Sequence, residues 1–171
     1  MLIFKELLQV STIKSISEDL GKLLGRKKQS LAIAESCTGG LISAALTEIP
    51  GSSGYFGYGV VSYSNEAKVK LLKVSEETLK KYGAVSPQTA VEMAEGIRML
   101  SGSDYGLSVT GIAGPGGATE TKPVGLVYIG FSSSNGCTWE ELRLQGTRQE
   151  IRLATVKTAL AIAVENISGQ A

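Results

Sequence analysis

The sequence predicts an α/β fold, a single-domain layered sandwich in which helices flank a mixed β-sheet. Three observations carry this. Short apolar runs of strand length alternate with helix-periodic segments as far as residue 112. Two strand-like runs then follow one another directly, as a hairpin would. Finally, 171 residues with 43% hydrophobic and 19% charged side chains have an ordinary globular composition and can bury one core.

Each element has its own signal. Ile13, Ile16, Leu20, Leu23 and Leu24 recur at helical spacing across 12–26. "SLAIAES" (30–36) fits a buried strand, and "GLISAALTEI" (40–49) follows as a helix. "YGVVSYS" (58–64) is β-patterned, and "NEAKVKLLK" (65–73) is helical, with Glu66 and Lys70 spaced as an i,i+4 surface pair. Ser75, followed by Glu76 and Glu77, opens a helix over 75–82. Ser86 as N-cap with Pro87 at the first helical position opens the next. "DYGLSVTGI" (104–112) is a strand that runs into the glycine loop "GIAGPGG" (111–117). Residues 124–133 and 137–145 read as antiparallel strands around Ser134, Asn135 and Gly136. "TRQE" (147–150) is the capping box of a closing helix that extends to about residue 167. No repeat or linker interrupts the chain, so it reads as one domain over 1–171 with its core at 15–167.

Composition excludes several functions. A net charge of +1 argues against duplex DNA as a partner but not against a small anion. The chain has no histidine, so a Ser-His-Asp triad and an imidazole-ligated zinc site are impossible. Two cysteines make neither a disulfide framework nor a Cys-only zinc site, and the two aspartates, Asp19 and Asp104, form no acidic metal loop. A reaction without metal or cofactor is expected. "MLIFKELLQV" has charges at Lys5 and Glu6, no secretory apolar core and no cleavage site. No apolar run approaches bilayer length, so a cytoplasmic protein is expected.

Three predicted strand ends stop at reactive or glycine-rich residues: Ser36 in "AESCTGG", Tyr63 in "SYSNEAK" and Thr110 in "VTGIAGPGG". Open α/β sheets bind ligands beyond such ends, so the three point to one cleft. Ser36, at a strand-to-helix junction beside Gly39 and Gly40, is placed like a nucleophile elbow. The plainer possibility is that Ser36 or Thr38 only caps the helix. Cys37 is a rival nucleophile or, more commonly, a buried inert thiol. Without histidine, lysine and tyrosine are the realistic candidates for the base, and Lys68 sits about one turn into the helix after Tyr63. A solvated surface lysine is the plainer reading there. The 111–117 loop could cradle a phosphate or be a plain turn. Arg148, at the first helical position, opposes the helix dipole, which favours a job on an anion.

Taken together, "AESCTGG", "GSSGYFGYGVVSYSNEAK", "GAVSPQTA", "SVTGIAGPGG" and "KPVG" resemble the C-terminal domain of the competence/damage-inducible CinA family over about residues 15–167. The resemblance implies a nicotinamide-nucleotide amidase, which hydrolyses the carboxamide of nicotinamide mononucleotide to nicotinate mononucleotide and ammonia in pyridine-nucleotide recycling. It implies Ser36 as nucleophile, Tyr63 and Lys68 as base candidates, and Arg148 on the 5′-phosphate. Thr110, with Gly111 and Gly114 beside it, would position substrate. The N–H groups of Thr38, Gly39 and Gly40 would form the oxyanion hole. Longer members carry a further domain resembling molybdopterin-binding proteins, and the expectation from the resemblance is the stand-alone amidase form. Expected partners are the small nucleotide substrate and further copies of the chain, a dimer being favoured, with no nucleic acid and no membrane. Two alternatives are a non-catalytic nucleotide-binding module in the same cleft and a partner protein in DNA uptake or repair.

Overall fold

The computed structural model describes residues 11–169; the "MLIFKELLQV" segment lies outside them. The elements run α1 (Ile13–Lys27), β1 (Leu31–Glu35), α2 (Leu41–Thr47), β2 (Phe56–Val61), α3 (Asn65–Leu72), α4 (Glu76–Tyr82), α5 (Pro87–Ser101), β3 (Tyr105–Gly111), β4 (Leu126–Ser133), β5 (Gly136–Arg143) and α6 (Arg148–Ser168). A single sheet of order β2-β1-β3-β4-β5 forms the middle layer. β2, β1 and β3 are parallel, and β4 and β5 close the sheet as an antiparallel hairpin. This is the mixed α/β sandwich that the alternation predicts.

Period-2 alternation divides the core in two. Leu31 and Ile33 of β1 face α1, α2 and α6, joined there by Leu107, Val109, Val127 and Ile129. Ala32 and Ala34 face the other side, with Leu72, Met93 and Ile97 of α3 and α5. Small residues on that second face let α5 lie close to the sheet. A Cβ at Gly106 or Gly130 would meet the carbonyls of Ala94 and Ala90, and Ser108 donates to the Ala90 carbonyl at 2.6 Å.

The capping chemistry follows the sequence closely. Ser75, Ser86 and Thr147 each cap their helix, and Thr147 and Glu150 form the reciprocal box. Two local expectations fail. β2 ends at Val61, so Tyr63 lies two residues past the strand. Its residues are mostly exposed, as befits an edge strand, and the chain leaves the sheet to reach Ser64, the N-cap of α3. Nor do Glu66 and Lys70 pair; the ion pairs within 4.0 Å found among the described residues are Lys22–Asp19 and Arg143–Glu141. Both side chains are exposed, where holding such a pair gains little.

Candidate active site

The parallel strands β1, β2 and β3 end at the same edge of the sheet, and a cavity of about 220 Å³ opens there. Ser36, Tyr63, Lys68, Thr110, Gly111 and Arg148 line it, together with Cys37 and the apolar Ala84, Val85 and Ala113. Residues from five separate stretches thus meet in one cleft.

Ser36 continues the alternation of β1 toward the α3–α5 face, and its N–H is held by the Val109 carbonyl at 3.0 Å. Neither it nor Thr38 caps α2. The N-cap is Gly40, which has left-handed φ and no side chain to offer. Glu35 takes the capping role from inside the fold. Its carboxylate accepts hydrogen bonds from Thr38 Oγ1 (2.7 Å), Gly40 N (2.9 Å), Ile42 N (3.1 Å), Ser43 N (2.8 Å) and Ser43 Oγ (2.7 Å). This frees the Ser36 hydroxyl for a partner across the cleft.

That partner is Lys68. Its Nζ lies 3.1 Å from Ser36 Oγ and donates to the Ser62 carbonyl at 2.7 Å. The side chain is 1% exposed, so it is not the solvated surface lysine that helix position alone would suggest. Burial pushes its pKa from 10.5 down to about 8, because the charged ammonium loses water. Cys37 goes the opposite way. Burial pushes its thiol up to about 11, leaving it protonated and poorly nucleophilic at neutral pH.

The rim is different in kind. Tyr63 is 62% exposed, and Arg148 is exposed as well. The Arg148 guanidinium donates to the Gly114 carbonyl at 2.7 Å and to Tyr63 Oη at 3.1 Å. It therefore ties the start of α6 to the glycine loop and to the β2–α3 junction. Thr110 is buried and lines the cavity, and its hydroxyl donates to the Ala84 carbonyl at 2.7 Å, so its proton is committed there.

Several expected binding groups lie off the cavity wall. Gly39 N–H is taken by the Ser36 carbonyl and Gly40 N–H by Glu35. Neither can serve as an oxyanion donor. The Thr38 side chain is turned inward to Glu35, and its carbonyl accepts from Arg152 Nη2 at 2.6 Å. Among the described residues, the N–H groups of Cys37 and Thr38 are the ones between residues 36 and 40 with no carbonyl or carboxylate partner. Gly114 presents its carbonyl to Arg148. Glu35, Ser62 and Arg152 are the supporting residues that sequence reasoning missed. A charged residue ending the otherwise apolar run "LAIAE" was the available signal for Glu35.

No described helix is long and apolar enough to cross a membrane, and no group of three or more potential His, Cys, Asp or Glu metal ligands occurs among the described residues.

Comparison with known proteins agrees with the fold. The CinA C-terminal domain family matches residues 13–167. A CinA-like protein of Endomicrobium trichonymphae is 58% identical over 140 residues, covering 82% of this chain and 33% of that protein. The chain spans between 33% and 38% of the length of the first curated relatives it matches. Among solved structures, the competence/damage inducible protein CihA of Agrobacterium tumefaciens superposes with a TM-score of 0.86 at 46% identity, covering 90% of this chain and 95% of that one. The competence damage-inducible protein A of Klebsiella pneumoniae gives 0.91 at 30% identity, covering 94% and 100%.

Proposed function

The chain belongs to the CinA C-terminal domain family, and from that premise we propose that it is an amidase that hydrolyses the carboxamide of nicotinamide mononucleotide to nicotinate mononucleotide and ammonia. The observation that carries the reading is the buried pair of Ser36 and Lys68, 3.1 Å apart at the floor of an open cleft.

In this reading Lys68 does the work a histidine does elsewhere. With a pKa near 8 it is neutral in about a tenth of molecules at pH 7 and can accept the Ser36 proton across the existing hydrogen bond. Ser36 Oγ attacks the carboxamide carbon, and the oxyanion draws on the N–H groups of Cys37 and Thr38. Cys37 is the residue directly after the nucleophile, the usual donor at an elbow. Lys68 passes the proton to the leaving nitrogen, the C–N bond breaks, and ammonia departs from an ester on Ser36. Water then attacks the ester, with Lys68 accepting its proton and returning one to Ser36 Oγ.

Recognition falls to the rest of the cleft. The floor cavity, at about 220 Å³, is smaller than a typical whole-ligand pocket of roughly 300–1,000 Å³. It takes the ring end of the nucleotide against Ala84, Val85 and Ala113, and the remainder extends to the open rim. Thr110, whose proton is committed to Ala84, offers lone pairs that suit an amide NH₂ and repel a carboxylate product. Arg148 pairs with the phosphate once it lets go of the Tyr63 hydroxyl. The chain acts in the cytoplasm as a homodimer, with the nucleotide as its small-molecule partner. The test is ammonia release from nicotinamide mononucleotide by wild type and Ser36→Ala. Equal release by both, or none by wild type, refutes the reading.

A further inference from the structure

Glu35 is a fully buried carboxylate whose five hydrogen-bond partners are all neutral donors. Burying a charge is costly unless its surroundings compensate, and an ordinary helix cap needs only one or two such bonds from a short exposed side chain. The turn it grips is itself demanding. Gly39 and Gly40 both have left-handed φ, at 62° and 97°. α2, only seven residues long, is too short to hold that geometry by its own cooperativity.

The main chain of Glu35 reaches the other half of the site. Its carbonyl accepts the Ser62 N–H at 2.8 Å, and the Ser62 carbonyl in turn accepts Lys68 Nζ at 2.7 Å. One residue therefore grips the turn that carries Ser36 through its side chain and the strand exit that anchors Lys68 through its backbone. Its carboxylate also fills the N-terminus of α2, so no substrate anion can bind there.

We propose that Glu35 is the positioning residue of this site: its carboxylate locks the 36–43 turn so that the Ser36 hydroxyl meets Lys68. This rests on the reading of Ser36 as nucleophile but not on the identity of the substrate. In Glu35→Gln the size is kept, but an NH₂ group must face donors that now find an acceptor, and the turn shifts.

The experiment is the rate of Ser36 phosphonylation by a fluorophosphonate probe, followed by intact mass against pH. Wild type, Glu35→Gln and Ser43→Ala are compared, each checked for a cooperative thermal transition. Glu35→Gln should label at least about tenfold more slowly, in line with the roughly hundredfold cost of a 1 Å misplacement. Its pH midpoint should stay at the wild-type value, and its affinity for nicotinate mononucleotide should stay within about threefold, because the burial of Lys68 and the rim are untouched. Ser43→Ala removes one of the five bonds and should slow labelling by about threefold. If Glu35→Gln does not fold, Ser43→Ala decides.

Labelling of the folded variants at the wild-type rate overturns the proposal. So does slower labelling with a midpoint displaced toward 10.5, which would make Glu35 a fold anchor whose loss rehydrates Lys68. A wild type whose Ser36 is never labelled overturns it too. A wild type that labels at Ser36 yet releases no ammonia from nicotinamide mononucleotide refutes the substrate reading, while the labelling ratio still judges Glu35.

Discussion

The floor and the rim of the cleft are built on opposite principles. At the floor, Ser36 and Lys68 are almost without water contact, and each is held by a backbone carbonyl, that of Val109 in β3 and that of Ser62 just past β2. At the rim, Tyr63 and Arg148 are exposed and hold each other through one hydrogen bond between side chains. Desolvation at the floor lowers the pKa of a lysine, which bulk water at the rim would not do. In the proposed reading, reactivity belongs to the dry floor and recognition to the open rim. Substitutions at the floor should change kcat and pH dependence; those at the rim should change KM.

The sharpest separation comes from Ser36→Ala. It should lower kcat by at least about 1,000-fold while nucleotide affinity stays within a few-fold, the pattern of a nucleophile removed from an intact site. Steady-state kinetics with calorimetric binding checks this. Cys37→Ala should leave most activity, and a dead Cys37→Ala beside an active Ser36→Ala would transfer the nucleophile to the thiol.

Lys68→Met should be similarly inactive yet more stable. The pKa of Lys68 falls from 10.5 to about 8 on folding, so the unfolded chain binds the extra proton between those values. Below pH 8 the wild type carries the full penalty of a buried charge, on the order of 3 kcal/mol. That penalty is relieved as pH rises from about 8 to 10.5. Denaturant melts of both proteins should show Lys68→Met ahead at pH 7 and the gap closing across that window. The gap is read most cleanly below pH 9, because above it the raised pKa of Cys37, which the Lys68 charge helps to set, also destabilises both proteins. A gap that does not change with pH would mean that Lys68 is not desolvated.

At the rim, Arg148→Ala should raise KM by about 10–100-fold, the equivalent of one or two charge-assisted hydrogen bonds, with kcat changed far less. If kcat falls instead, Arg148 belongs to the chemistry. Tyr63→Phe removes only the hydroxyl that meets Arg148 and should cost about three- to tenfold. A loss as deep as that of Ser36→Ala would make the tyrosine the base.

The same contrast explains what was legible in the sequence. Fold and caps follow from periodicity and from residues within four positions of one another, which is why Ser86-Pro87 and "TRQE" mark their helix starts correctly. The placement of Arg148 was legible for the same reason, since a cation at a first helical position is locally unfavourable. Burial was not legible. Lys68 reads as a surface lysine because nothing in its own helix announces that Ser36 and Ser62 will cover it. Glu35 was missed because its donors, at 38–43, look like an ordinary glycine turn until a carboxylate is seen inside it. For the same reason the Gly39 and Gly40 N–H groups, two of the three oxyanion donors the sequence suggested, are already taken by the Ser36 carbonyl and the Glu35 carboxylate.

The most direct test of the account is the pH profile of kcat/KM for nicotinamide mononucleotide in wild type and Lys68→Arg. Guanidinium keeps the charge but does not release its proton in this range. Wild type should rise with pH and level off through a pKa of about 8. Lys68→Arg should lie about 100- to 10,000-fold lower and lack that limb, as expected for a lost general base. Wild-type turnover in Lys68→Arg with the same rising limb would contradict the account and pass the base role to Tyr63.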